Sequence, residues 1–383
     1  MVPKKILIKR QNYLLMNIER KYPVGRNILV ISNLYPSSKA PFYGSFVRNF
    51  VLDLNAYNKK CVTICVLKGR NDGHGLKKVL LYLLFYCKIF YRLLFFRYDL
   101  IYVHLITHAS IPIRLVSYVK KLNMVFNIHG EDLLVTTPLA RKLLEFAKPL
   151  LRKAAYIVVP SNYFKGITLE RLPFLDSNKI LVSASGGVKE QFYVCREYNP
   201  GKVMRIGYVS RVDRGKGWNT FVDAIQLINK KGYQVHASII GGGLEVEEMK
   251  AYIAKKDVKN VEYVGPVAYE ELNQYYSKMD LFVFPTLLRE SLGLVGLEAM
   301  AASVPVIASE IGGITDYLRD GYNGFYFNPG DSDDLADKIR KFIELSDGDK
   351  KVMSFHARET ANNYQSDIVS TSLFNILFKY IAK

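Results

Sequence analysis

RESLGLVGLEAMA, residues 289–301, follows the apolar run LFVFPT at 281–286. Leu281–Phe284 has the length and the aromatic and β-branched content of a buried strand, and it ends at Pro285, which has no N–H for a ladder. From about Gly293 the spacing becomes helical. This places Glu290 in the loop at the strand tip and Glu298 about a turn and a half inside the helix. Pro305–Ala308 reads as the next strand. Strand, helix, strand in this spacing implies parallel neighbours covered on both faces.

The same alternation extends in both directions. Upstream, strands are expected at Asn27–Ser32, Cys61–Leu67, Leu100–His104, Met124–Ile128, Tyr156–Val159 and Ile180–Ser183. A break at Tyr198-Asn199-Pro200-Gly201 precedes Met204–Val209, Val235–Ile240 and Val261–Val264. Two such runs with a Pro-Gly joint imply an α/β chain of two doubly wound, Rossmann-like parallel-sheet domains facing across a cleft. The expected division is a basic extension at 1–26, a first domain at 27–198, a second at 199–355 and C-terminal helices at 356–383 crossing back onto the first. Ligands of such sheets bind outside the carboxyl ends of the strands.

Several residues sit at those ends. Gly207-Tyr208-Val209-Ser210-Arg211 runs into a turn ending Gly215-Lys216-Gly217 before a helix from Trp218. Glycines at a strand-to-helix turn admit an anion to backbone N–H groups, and Arg211 and Lys216 add charge, a plausible diphosphate clamp. Gly241-Gly242-Gly243 closes another strand, and this reads equally as a plain turn. Taken alone, Glu290 and Glu298 read as readily as a helix cap and a solvated face residue. His104 and His108 lack a helical partner Glu, and the two Asp-x-Asp triplets, Asp331–Asp333 and Asp347–Asp349, lie beyond the last expected strand and its tip, so no metal is expected.

The whole ordered string resembles the retaining glycosyltransferases of family 4, of the two-lobed GT-B fold. The resemblance rests on Gly207…Arg211…Lys216-Gly217, the glycines at 241–243, Pro285-Thr286, Glu290-x7-Glu298 leading into Glu-Ala-Met-Ala, Pro-Val-Ile-Ala, and Gly312-Gly313 with Asp316 behind it. In the first half, Gly44 and His129-Gly130-Glu131-Asp132 match more loosely. Gly186-Gly187-Val188-Lys189, Ser303 and Ser45 depart from the family pattern. The resemblance implies a catalytic set of Glu290, His129, Arg211 and Lys216. It implies a donor-binding set of Gly44, Gly207, Arg211, Lys216, Gly241, Gly242, Pro285, Glu290, Ser291, Leu292, Gly293, Leu294 and Glu298, with Glu298 on the ribose. The donor is then a nucleotide diphosphate-sugar and no metal cofactor is needed. The nearest rivals are an epimerase or a phosphorylase on the same fold.

Charge points to the surroundings of the acceptor. Residues 1–200 hold 31 Lys and Arg against 11 Asp and Glu, whereas the remainder holds 22 against 24, within a chain of net charge +18. An excess confined to one half suits a partner of dispersed negative charge. Leu76–Phe96 is dense in Leu, Phe and Tyr, but Lys88 and Arg92 interrupt it, so it is too short in uncharged residues to span a bilayer. Its wide apolar face beside Lys77, Lys88 and Arg92 fits either a helix lying in a lipid interface or one packed in the core. No nucleic-acid motif accompanies the cations, so no nucleic acid is expected; the basic half and Leu76–Phe96 suit an anionic membrane surface, and with them the resemblance implies a lipid-linked glycan acceptor. Met1–Arg26 lacks the pattern of a signal peptide. Cys61, Cys65, Cys87 and Cys195 form no Cys-x-x-Cys pair and read as free thiols, which suits the cytosol; with the basic half and Leu76–Phe96, the expected location is cytoplasmic, peripherally on the inner membrane face.

Overall fold

The structure, a computed structural model, describes residues 25–38, 40, 43–69, 75–130, 132–134, 137–194, 196 and 203–382. Glu131, Cys195, the joint at 198–201 and most of the basic extension lie outside them. The chain divides into two compact units: 1–159 with 172–186 and 367–383, and 160–171 with 187–366.

The first unit carries β1 (Ile28–Ser32), α1 (Ser45–Tyr57), β2 (Val62–Val66), α2 (Leu76–Phe95), β3 (Leu100–His104), α3 (Ile106–Val116), β4 (Met124–Asn127), α4 (Pro138–Lys153), β5 (Tyr156–Val159) and β6 (Ile180–Val182). Its sheet has the order β2-β1-β3-β4-β5-β6, with every pairing parallel. β1 and β3 are buried along their whole length, as expected of central strands covered on both faces. The order reverses between β1 and β3, so the loops after those strands part there and leave a crevice.

Helix α2 shows why one sequence pattern supported two readings. It packs inward through one stripe, Phe85, Ile89 and Leu93, spaced a turn apart. Leu76, Val79, Leu80, Leu83, Leu84, Tyr91, Leu94 and Phe95 remain exposed. The Lys120 ammonium donates to the carbonyls of Leu93 and Phe96 at 2.7 and 2.6 Å, placing a cation at the helix C-terminus, where the dipole favours it. Among the described residues no helix is long and apolar enough to cross a membrane.

The second unit carries α5 (Asn162–Arg171), which lies between β5 and β6 in the chain. It continues with β7 (Met204–Val209), α6 (Trp218–Lys230), β8 (Val235–Ile240), α7 (Val246–Lys255), β9 (Val261–Gly265), α8 (Leu272–Tyr276), β10 (Leu281–Phe284), α9 (Leu294–Ala301), β11 (Val306–Ser309), β12 (Gly324–Phe327), α10 (Ser332–Glu344) and α11 (Asp347–Asn362). Its parallel sheet runs β12-β11-β10-β7-β8-β9. β12 has no counterpart in the sequence reading, because Gly321-Tyr322-Asn323-Gly324 and Asn328-Pro329-Gly330 make the whole stretch read as turns. The sheet reverses between β7 and β10, so the loops after these two strands flank the crevice where such folds bind ligands.

The last helix, α12 (Ser366–Ile381), belongs to the first unit. Its Leu373, Phe374, Leu377 and Phe378 join the core formed by Ile28, Val30, Leu54 and Tyr102. Each such side chain contributes about 1.5–3 kcal/mol when fully buried. Two expected boundaries are thereby corrected. The first unit's main run ends at Val159, with 172–186 returning to it, instead of continuing to residue 198, and of the C-terminal helices only α12 joins it, because α11 buries Met353, Ala357 and Ala361 within the second unit.

Candidate functional site

The second unit's site forms where the loops after β7 and β10 meet. The Lys216 ammonium donates to Glu290 Oε1 at 2.7 Å, and Thr286 Oγ1 donates to the same oxygen at 3.0 Å. Both members of the ion pair are largely buried. An ion pair shielded from water interacts more strongly than one at the surface. Glycines set the approach of the two loops. Gly217, at φ 74°, caps α6, and a Cβ there would lie 1.7 Å from the Pro285 carbonyl oxygen. The Leu287 N–H donates to the Gly215 carbonyl at 2.8 Å. The hydroxyl of Tyr208, on β7, donates to the Arg211 and Lys216 carbonyls and closes the turn from beneath.

The turn after β8 backs the same loop. A Cβ on Gly241 would lie 1.9 Å from the Ser210 oxygen, and Val212 N–H donates to the Gly242 carbonyl at 2.9 Å. Gly207 is different. It lies within β7, and the space left by its missing side chain is filled by Met279, whose Sδ would be 2.1 Å from a Cβ. The missing side chain at Gly207 thus makes room for Met279 against the sheet.

After Glu290 the chain passes Ser291 and buried Leu292 to Gly293, which caps α9 at φ 84° and gives its carbonyl to the Tyr317 hydroxyl at 2.9 Å. Leu294 opens the helix. Gly312 and Gly313 press on this loop, where a Cβ on either would meet the backbone of Glu290 or Ser291 at 2.6 or 2.3 Å. The Ser161 hydroxyl donates to the Ser291 carbonyl at 2.6 Å. Asp316 is engaged with α5: its carboxylate accepts the Asn162 and Tyr163 N–H groups at the start of that helix, a favourable position for a negative charge.

Two expected members stand apart from the Lys216–Glu290 pair. Arg211 is 73% exposed and bound to Asp213 at 2.8 Å. Glu298 is only 3% exposed, so it is no solvated face residue; it accepts the Tyr269 hydroxyl at 3.0 Å and the Tyr276 hydroxyl at 3.2 Å. Burial pushes its carboxyl up to about 7, against the pull of both hydroxyls toward the ionised form. Thr286, Asp213, Tyr269 and Tyr276 were not singled out as site residues. Only Thr286 carried a signal, as part of the Pro-Thr strand tip.

The first unit presents a neutral counterpart at its own switch point. His104, at the end of β3, meets His129, after β4, with Nδ1 and Nε2 2.9 Å apart. Burial lowers both imidazole pKa values, that of His129 to about 3, so both are uncharged at neutral pH. The Asp132 carboxylate accepts the His129 and Gly130 N–H groups and fixes the turn. Gly44 caps α1 at φ 73°, within 2.7 Å of the Leu34–Tyr35 backbone by its absent Cβ. A small pocket beside the histidines is lined by Phe46, Phe50, Asn127, Ser183 and Phe374 among others, with no ionised side chain. Among the described residues no three His, Cys, Asp or Glu side chains converge as a metal site requires.

Residues 196–360 match the family described as Glycosyl transferases group 1. Over that stretch the chain is similar to group 1 glycosyltransferases. An uncharacterized glycosyltransferase of Methanocaldococcus jannaschii is 28% identical over 219 residues, 57% of this chain and 58% of that protein. The capsular polysaccharide biosynthesis glycosyltransferase CapM of Staphylococcus aureus is 32% identical over 180 residues, 45% of this chain and 46% of CapM. The chain thus spans about half the length of these two relatives. Among solved structures, Anabaena HepE in complex with UDP aligns with TM-score 0.71 at 20% identity, covering 92% of this chain and 99% of that one. The lipopolysaccharide outer core galactosyltransferase WaaB aligns with TM-score 0.72 at 17% identity, covering 92% and 99%. The two parallel six-stranded sheets are thus those of the GT-B fold.

Proposed function

We propose that this protein is a retaining, metal-independent glycosyltransferase of family 4. It moves a sugar from a nucleotide diphosphate-sugar to a lipid-linked glycan in bacterial cell-surface polysaccharide or lipopolysaccharide synthesis. The observation that carries this reading is the contact of Lys216 with Glu290 at the switch point of the second unit. A cation there can take up the charge that develops on a departing diphosphate, and fixed charge of this kind lowers the barrier with little reorganisation. Glu290 then orients the donor sugar's hydroxyls, Glu298 takes the ribose and Arg211 exchanges Asp213 for phosphate. His129, held neutral, contacts sugar without introducing charge. CapM and WaaB, relatives in sequence and fold, support the setting by their names. The test is thermal stabilisation by UDP-, GDP- and ADP-sugars in metal-free buffer. A binding donor at a hundred times its Kd should stabilise by about 2.7 kcal/mol. No shift with any of them would sink the reading.

The acceptor's anchor explains the uneven charge. The enzyme works at the anionic inner face of the cell membrane, with α2 in the lipid interface. Its eight exposed apolar side chains continue through Phe96, and Lys77, Lys88 and Arg97 stand among them. Each Lys or Arg near an anionic surface contributes about 1 kcal/mol, falling off within a Debye length. The protein is expected to sediment with phosphatidylglycerol vesicles at low salt, and Leu84→Glu with Phe95→Glu should weaken this at least tenfold. Sedimentation unaffected by that double substitution removes α2 from the contact.

A further inference from the structure

We infer that Tyr269 is a positioning residue of the donor site, holding the Glu298 carboxylate for a ribose diol; this rests on the reading that Glu298 takes the ribose. Each carboxylate oxygen offers about two acceptor positions. Tyr269 fills one on Oε1 and Tyr276 one on Oε2, which leaves one on each oxygen, the pairing that two adjacent hydroxyls require.

The two tyrosines are not equivalent. Tyr276 lies wholly in the core, edge-on to Phe192 and Phe282, and is part of the packing. Tyr269 is half-buried on the turn after β9. Its ring edge meets Phe192 and its carbonyl accepts Gln191 Nε2 at 3.0 Å. It is thus fixed from two sides while its hydroxyl reaches the one buried carboxylate of α9. The titratable groups acting on Glu298 are Tyr269 and Tyr276, by hydrogen bonds, and more weakly Tyr317. All three tyrosines are neutral at the pH of interest, because burial raises each. The ionised carboxylate accepts from both ribose hydroxyls, whereas the protonated form gives up an acceptor position. Burial raises the Glu298 pKa and the tyrosine hydroxyls lower it. Removing the Tyr269 hydroxyl therefore raises the pH below which ribose recognition fades.

The test uses the full chain and its Tyr269→Phe and Glu298→Gln variants. Calorimetric titration with UDP and 2′-deoxy-UDP between pH 6 and 9, with the guanosine and adenosine pairs in parallel, isolates the ribose, because each pair shares one diphosphate and its titration. Wild type is expected to prefer the ribonucleotide roughly tenfold at pH 8, the worth of one charge-assisted hydrogen bond, and to lose this preference below about pH 7. Tyr269→Phe should cut the preference to about threefold and move its midpoint to higher pH, with an unchanged fold. In Glu298→Gln the preference should be independent of pH. Equal preference and equal midpoint in wild type and Tyr269→Phe overturn the role of Tyr269 alone. Equal affinity of wild type for ribo- and deoxyribonucleotide overturns it together with the ribose role of Glu298. Binding of none of the three diphosphates removes the donor reading itself.

Discussion

Lys216→Ala is expected to slow sugar transfer roughly 10- to 150-fold. The ammonium lies 2.7 Å from Glu290 Oε1 in a largely water-shielded position, where a hydrogen bond to a charged group is worth about 1.5–3 kcal/mol. Each 1.36 kcal/mol is tenfold in rate. Because the charge it opposes develops as the diphosphate leaves, the loss should fall on kcat more than on KM. Among the described residues the substitution leaves the Glu290 carboxylate only the Thr286 hydroxyl, so it loses orientation as well as a counter-charge. Steady-state kinetics on the donor identified by thermal stabilisation, with Lys216→Arg beside it, decides the matter. Arginine keeps the charge but not the compact geometry, so it should restore part of the loss. A kcat within twofold of wild type in the alanine variant would take Lys216 out of the chemistry.

The second large effect is on the scaffold. Gly217→Ala is expected to destabilise the protein by at least about 3 kcal/mol, combining the strain of a left-handed residue with overpacking against backbone. The added methyl would stand 1.7 Å from the Pro285 carbonyl oxygen, at φ 74°, where the loops carrying Lys216 and Glu290 meet. Relief requires those loops to part, so the nucleotide-dependent rise in Tm should vanish along with roughly 6–12 °C of Tm. Gly232→Ala is the control. Its φ of 86° imposes the backbone strain, but nothing lies within 4 Å of its Cβ position. It should therefore cost only about 1–2 kcal/mol. Calorimetric melting of the two variants separates crowding from φ. Equal losses would show that the contact with Pro285 is slack.

All strands of the two sheets except β12 were legible because buried parallel strands are short apolar runs closed by turn residues, a local property. The stretch 281–301 likewise announced its strand, its loop and the start of its helix, since Pro285 and Gly293 act through their own backbones. Sequence alone also kept α2 ambiguous for a sound reason: a periodic apolar face does not say how much of it a neighbour covers, and here only Phe85, Ile89 and Leu93 are buried.

Tertiary structure alone decided who meets whom. Lys216 reaches Glu290 across 74 positions of sequence because β10 lies beside β7, and strand order is a long-range choice that periodicity does not encode. The two tyrosines on Glu298, the pairing of His104 with His129, the capping of α5 by Asp316 and the return of α12 to the first unit are of the same kind. Each arises where packing must satisfy a buried polar group or cover an apolar stripe, and the partner that does so is chosen by proximity in the fold rather than by any neighbour in the chain.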